Sequence, residues 1–241
     1  ENALPHITVL APERQRFADS APELGHRARA QLAVLYSQQA RFDEAQLIYE
    51  ELVASPTSLW TDISNFAETK MMQGRLSEAR GLFERAMAAA ARESVPEGDL
   101  RDTLRALGDL HALEGDFAAA EKDYSRAIAG HEATHGRDHP HTAAALHGLA
   151  TLRLRQSRPG EAEAAHREAL TVREKWLGPT HPDVASSLAG LASALEARGD
   201  RAQARELHAR ALEIRRAALP VDHPAIVESH AAVARLEGTR G

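Results

Sequence analysis

The chain has no cysteine and, in 241 residues, only two Trp, three Tyr and five Phe. Without thiols there can be no disulfide, thiolate metal centre or cysteine nucleophile, although this does not separate cytoplasm from periplasm. No run of about 18 apolar residues occurs, so no membrane-spanning helix is expected. Neither charge sign dominates. The net charge of −6 is spread over interspersed acids and bases, which leaves no electrostatic footprint for nucleic acid or an anionic membrane. A Gly-rich phosphate loop, a Gly-x-Ser-x-Gly elbow and a kinase signature are also missing. The expectation is a cytoplasmic chain, with the periplasm left open, and no cofactor. Its start at Glu1 rather than Met, with no leader-like apolar segment, suggests a fragment or a processed chain.

What is present is ordinary for a folded protein: 43% apolar and 27% charged residues. Most of the apolar residues are Ala and Leu, which favours closely packed helices over a sheet. Three His-Pro pairs, His139-Pro140, His181-Pro182 and His223-Pro224, recur at intervals of 42 residues. A fixed period of this size signals stacked repeats. One unit carries Leu107-Gly108, Gly115, Ala120, Tyr124 and Ala127; the next carries Leu149-Ala150, Ser157, Ala162, His166 and Ala169. A third has Leu191-Ala192, Gly199, Ala204, His208 and Ala211. Upstream, Phe66-Ala67, Gly74, Ala79, Phe83, Ala86 and Leu32-Ala33, Ala40, Ala45, Tyr49, Leu52 fit the same slots. A half unit ends at Val233-Ala234. Each slot has a physical reading. The small residue after Leu permits close helix approach, Gly eases the left-handed turn that ends the first helix, and Ala followed at i+4 and i+7 continues one buried stripe.

These slots resemble the tetratricopeptide repeat. The first step, Leu32 to Phe66, is 34 residues, and later steps of 41 and 42 are similar to the kinesin-light-chain subtype. Leu177-Gly178-Pro179-Thr180-His181-Pro182 carries that subtype's loop. The resemblance implies an all-α fold, a right-handed α-solenoid of antiparallel helix pairs with five units plus a terminal half. Residues 26–241 form the array. Residues 1–25 form an N-terminal segment, with an extended run over 5–10 and a candidate capping helix over 12–20.

Sister units decide how the histidines are read. In the His-Pro pairs, Pro suits the first turn of a helix and drives the residue before it into extended geometry. His166 and His208 stand where Tyr49, Phe83 and Tyr124 stand elsewhere, as packed ring substitutes. His131-Glu132-Ala133-Thr134-His135 spells the His-Glu-x-x-His zinc signature, and His139 and His141 are close by. The pentad falls at the end of a second helix, where a solvated position is expected, and nothing in the composition walls a water-excluding cleft. A zinc hydrolase is therefore set aside: no catalytic residue and no metal site are assigned, and His131, His135, His139 and His141 are left as a surface cluster.

The family resemblance places ligands along the first helices, in a concave groove. The matching positions here are Ser64, Asn65, Glu68, Met71 and Met72, then Arg105 and Asp109, then His147, Thr151 and Arg155, and finally Ser193 and Glu196. Their signs alternate, which disfavours a single strongly acidic or basic ligand. The subtype's ligand-gripping Asn is matched by Asn65, whereas Gly148 and Gly190 occupy that place in later units. The reading is a non-catalytic module binding a peptide segment or helix of a partner protein. The alternative is a scaffolding or regulatory segment of a larger bacterial multidomain protein.

Overall fold

A computed structural model describes residues 22–55, 58–221 and 223–238. Among them every regular element is helical. The helices are α1 (Pro22–Gln38), α2 (Phe42–Ala54), α3 (Trp60–Met72), α4 (Leu76–Arg92), a 3-10 turn (Glu97–Leu100), α5 (Arg101–Glu114), α6 (Phe117–His135), α7 (Pro140–Arg155), α8 (Pro159–Leu177), α9 (Pro182–Ala197), α10 (Arg201–Ala218) and α11 (Pro224–Glu237). This is the expected all-α array of helix pairs. Helix α1 begins at Pro22, four residues before the expected start of the array. The extended run and capping helix expected over 5–20 lie outside the described residues. The chain also divides into two compact units, residues 1–95 and 96–241, a division the repeat pattern did not show.

The first unit holds the pairs α1/α2 and α3/α4; the second holds α5/α6, α7/α8, α9/α10 and the single α11, packed on α10. Each pair closes on its small residues. Ala33, Ala67, Ala150 and Ala192 on first helices, and Ala45, Ala79, Ala120, Ala162 and Ala204 on second helices, are fully buried. Between first and second helix the backbone passes through a left-handed residue, as at Gly115 with φ 85°. Ala40 and Ser157 adopt the same geometry at φ 57° and 59°. A small side chain is thus tolerated there, at the modest strain a Cβ brings.

The ring slot does more than fill space. Tyr49, Phe83, Tyr124, His166 and His208 are all buried. Tyr124 lies against the backbone of two first helices: a Cβ added at Gly108 would stand 2.9 Å from its Cδ1, and one at Gly148 would stand 2.5 Å from its Cε1. At Gly190 a Cβ would meet the His166 ring, 2.7 Å from Nδ1. The rings of Tyr124 and His166 are thus each bedded in a glycine-floored notch of the next pair. This explains Gly148 and Gly190 on packing grounds, because no side chain, Asn included, fits between ring and helix.

Two arginines, Arg173 (buried) and Arg215 (half-buried), tie the later pairs together. Arg173 at the end of α8 donates from Nη1 to the Asp183 carbonyl (3.0 Å) and the Ser187 hydroxyl (2.8 Å) at the start of α9. One repeat later, Arg215 donates in the same way to the Ala225 carbonyl (3.0 Å) and the Ser229 hydroxyl (2.6 Å) of α11. Hydrogen bonds from a cation are the stronger kind, and these close each second helix onto the next first helix.

Candidate functional site

The first helices of the second unit carry the expected groove positions, and they are laced to one another. On α5, Arg105 Nη1 donates to Asp109 Oδ2 at 2.6 Å, and the Tyr124 hydroxyl donates to Asp109 Oδ1 at 2.5 Å. Burial raises the Asp109 carboxyl above its ordinary range, while Arg105 and Tyr124 pull it back down. On α7, Arg155 donates to the Ala112 carbonyl of α5, and its guanidinium carbon lies 5.2 Å from the Phe117 ring centre. On α9, Glu196 accepts from Arg235 of α11 at 2.6 Å. The Thr151 and Ser193 hydroxyls donate to the His147 and Ala189 carbonyls one turn earlier, at 3.0 Å each. They keep lone pairs outward on an exposed and a half-buried residue. Leu113, 53% exposed, adds an apolar contact.

Two groove positions are drawn inward instead. His147 packs edge-on to His166 with ring centres 4.9 Å apart, and its Nδ1 is buried without a hydrogen-bond partner among the described residues. Burial, then the neighbouring His166, push its pKa well below the ordinary value. In the first unit Ser64 is buried, Asn65, Glu68 and Met71 are half-buried, and Met72 is 54% exposed. Of that set, Met72 is the most exposed to a partner.

What the second unit offers is a face of mixed donors, acceptors and short apolar contacts, with its acids already paired to arginines. Such a face suits main-chain amides and carbonyls of another protein, which carry no net charge.

The His-Pro histidines have a role that composition did not reveal. His139, His181 and His223 are N-cap residues whose ring Nδ1 accepts from the amides of His141 (3.3 Å), Asp183 (3.1 Å) and Ala225 (3.2 Å). A ring nitrogen here does what Ser or Asp usually does. The signal lay in the threefold recurrence of His at 42 residues, where any residue would precede Pro equally well.

The pentad is divided by its surroundings. Glu132 accepts from Arg137 at 2.6 Å, and the same guanidinium also holds Glu168. Glu132 is thus engaged as an ion-pair partner, away from the role of a general base. His131 corrects the expectation of a solvated position, because it is only 1% exposed. The 3-10 turn lies over this end of α6, with Gly98 and Arg101 crowding Gly130. Neither ring nitrogen of His131 has a hydrogen-bond partner among the described residues. The nearest acid, Asp102, is 3.5 Å from Nε2. Burial pushes the His131 pKa down to about 4 against the pull of Asp102. As the side chains stand, no three His, Asp or Glu groups among the described residues are placed to hold a metal ion together.

The repeat pattern is matched among known families and proteins. Models of the tetratricopeptide repeat match residues 57–132, 99–175 and 152–217, and residues 28–58. Cellulose synthase operon protein C of Xanthomonas axonopodis pv. citri (strain 306) is 36% identical over 171 residues. That match spans 64% of this chain and 10% of the relative, so the chain corresponds to about a tenth of the longer protein. Among solved structures, BtubC (BKLC) from P. vanneervenii superposes with a TM-score of 0.67 at 23% identity, over 86% of this chain and 87% of that one. A putative kinesin light chain of Podosopora anserina, with nearly identical TPR-like repeats, gives 0.59 at 24% identity over 78% and 94%. At these identities the structural likeness concerns the fold.

Proposed function

Since the chain belongs to the tetratricopeptide-repeat family, we propose that it is a non-catalytic protein-interaction module, holding a segment of a partner protein along the first helices of its second unit. The observation that carries this reading is the mixed, internally paired face built by Leu113, Thr151, Arg155, Ser193 and Glu196. It presents hydrogen-bonding groups, and the two perturbed groups beside them already have internal partners, Asp109 with Arg105 and Tyr124 and His147 with the His166 ring. The occupant is a neutral or mixed-charge extended segment or helix.

A second reading is favoured by the likeness to a tenth of a longer bacterial protein: a scaffolding segment whose partners are other parts of the same polypeptide. Both readings are binding functions and share one test. Thr151→Arg with Ser193→Arg places two long cations on the face. Ser125→Arg with Thr171→Arg places the same charge on exposed positions of the second helices α6 and α8. We expect the first variant to lose partner binding by at least about tenfold, the second to keep it, and both to unfold at the same temperature as the parent. The opposite pattern would move the interface to the outer wall and defeat the proposal. The reading as a scaffold of its own polypeptide predicts that the captured segment comes from the remainder of the longer chain; the module reading predicts a separate protein.

A further inference from the structure

The junction between α6 and α7 departs from its two sisters. At α8/α9 and α10/α11 the stapling side chain is Arg173 or Arg215, and the hydroxyl opposite it is Ser187 or Ser229. Stepping back 42 residues puts His131 in the arginine slot and Ala145 in the serine slot. The staple is gone, and a buried imidazole remains with both nitrogens unpartnered. Burying a polar group without a partner is costly; His166 and His208 share this condition in the ring slot, and what sets His131 apart is the company of further imidazoles.

His135 and His141 lie against it, and His139 lies against both of them. His135 is one helical turn further along α6; His139 and His141 open α7. Ring centres stand 6.2 Å apart for His131–His135, 5.7 Å for His131–His141, 5.6 Å for His135–His141, and 5.2 Å for His139–His141. With metal–nitrogen bonds of about 2.0–2.1 Å and tetrahedral angles, two imidazoles on one ion have centres about 5 Å apart. The rings are therefore already at ligand spacing, and what is lacking is their orientation. His135 and His141 are exposed and His139 half-buried, so ring rotation can supply it. The Nε2 of His139 remains available because its Nδ1 serves as the helix cap.

We propose that His131, His135 and His141, with His139 Nε2 or water as fourth ligand, form a binding site for one divalent transition-metal ion that prefers imidazole: zinc, nickel or copper(II). Asp102, 3.5 Å from His131 Nε2, is placed to act as an outer-shell carboxylate. The ion ties α6 to α7, replacing the arginine staple of the neighbouring junctions. The site is structural, with Glu132 held by Arg137.

The test uses the full chain, free of any histidine tag and stripped with chelator. Calorimetric titration with zinc and nickel chlorides is expected to show one ion per chain, with a dissociation constant in the micromolar range or tighter. Trp176, whose ring centre is 5.6 Å from that of His139, is an independent reporter: in a Trp60→Phe background its fluorescence is expected to be quenched by one equivalent of copper(II). His131→Arg with Ala145→Ser installs the sister staple. It is expected to fold at least as stably as the parent while losing at least about 100-fold in metal affinity, as is His135→Gln with His141→Gln. No binding by the parent overturns the proposal. So does weak binding of several ions, or an isotherm that survives either double variant, since each shows adventitious surface histidines alone.

Discussion

Lowering the pH from 7 to 5 is expected to destabilise the second unit by about 4 kcal/mol, far more than ordinary surface titration would. Two buried histidines, His131 and His166, are pushed from 6.5 down to about 4, chiefly by burial. For His166 the cation of Arg173 adds to the effect. In the folded chain both rings stay neutral at pH 5; in the unfolded chain both take up a proton. The unfolded state therefore binds more protons between about pH 4 and 6.5. Stability is complete above 6.5 and is lost as the pH falls through this window, at about 2 kcal/mol per ring by pH 5. His147 and His208 shift in the same direction, while Asp109, raised by burial, opposes them as a single group. Urea unfolding followed by circular dichroism at pH 7 and pH 5 measures the difference. His166→Phe puts into this slot the ring that Phe83 supplies in another repeat, and should shrink the acid loss by about 2 kcal/mol. An equal loss in parent and variant would place the acid sensitivity elsewhere.

The architecture was legible because it depends on features repeated five times. Pro140, Pro182 and Pro224 begin α7, α9 and α11 where their positions imply. Ala120, Ala162 and Ala204 are the close contacts their spacing required. The substitution of His for an aromatic ring at 166 and 208 was also readable, since a slot filled by Tyr and Phe elsewhere is a packing slot.

Contacts between repeats were much less legible. Gly148 and Gly190 looked like positions where a ligand-gripping side chain is missing; in fact a ring from the preceding pair occupies that space. Nothing local to Gly148 reports Tyr124, which lies 24 residues away in sequence. Arg173 and Arg215 were hidden among many arginines, and only their partners Ser187 and Ser229, placed by the fold, distinguish them. The burial of His131 depends on a 3-10 turn that belongs to no repeat slot, so sister units could not foretell it. Groove positions fared similarly. Thr151 is exposed, whereas His147 packs edge-on to the His166 ring.

That same ring slot sets the largest single-residue effect. Tyr124→Ala is expected to cost about 3–5 kcal/mol, the usual range for emptying an aromatic site in a core that cannot collapse. Here collapse is blocked because the ring rests on helix backbone at Gly108 and Gly148, and backbone cannot follow a missing side chain inward. Tyr124→Phe separates the polar part. It removes the 2.5 Å hydrogen bond to Asp109 while keeping the ring, and is expected to cost about 1.5–3 kcal/mol because the acceptor is a half-buried, charged carboxylate. Gly148→Ala approaches the contact from the other side. Exchanging Gly for Ala gains about 1 kcal/mol of helix propensity, but the new methyl would sit 2.5 Å from Tyr124 Cε1. Overpacking of that kind costs about 1–3 kcal/mol, so the net effect is destabilising or close to zero. In Gly148→Ala with Tyr124→Ala the methyl enters space the ring has vacated. The pair should then be more stable than the sum of the single changes by about 1–2 kcal/mol, read from a double-mutant cycle in urea. Strict additivity would mean that ring and glycine do not share a contact, and the notch between successive helix pairs would lose its energetic meaning.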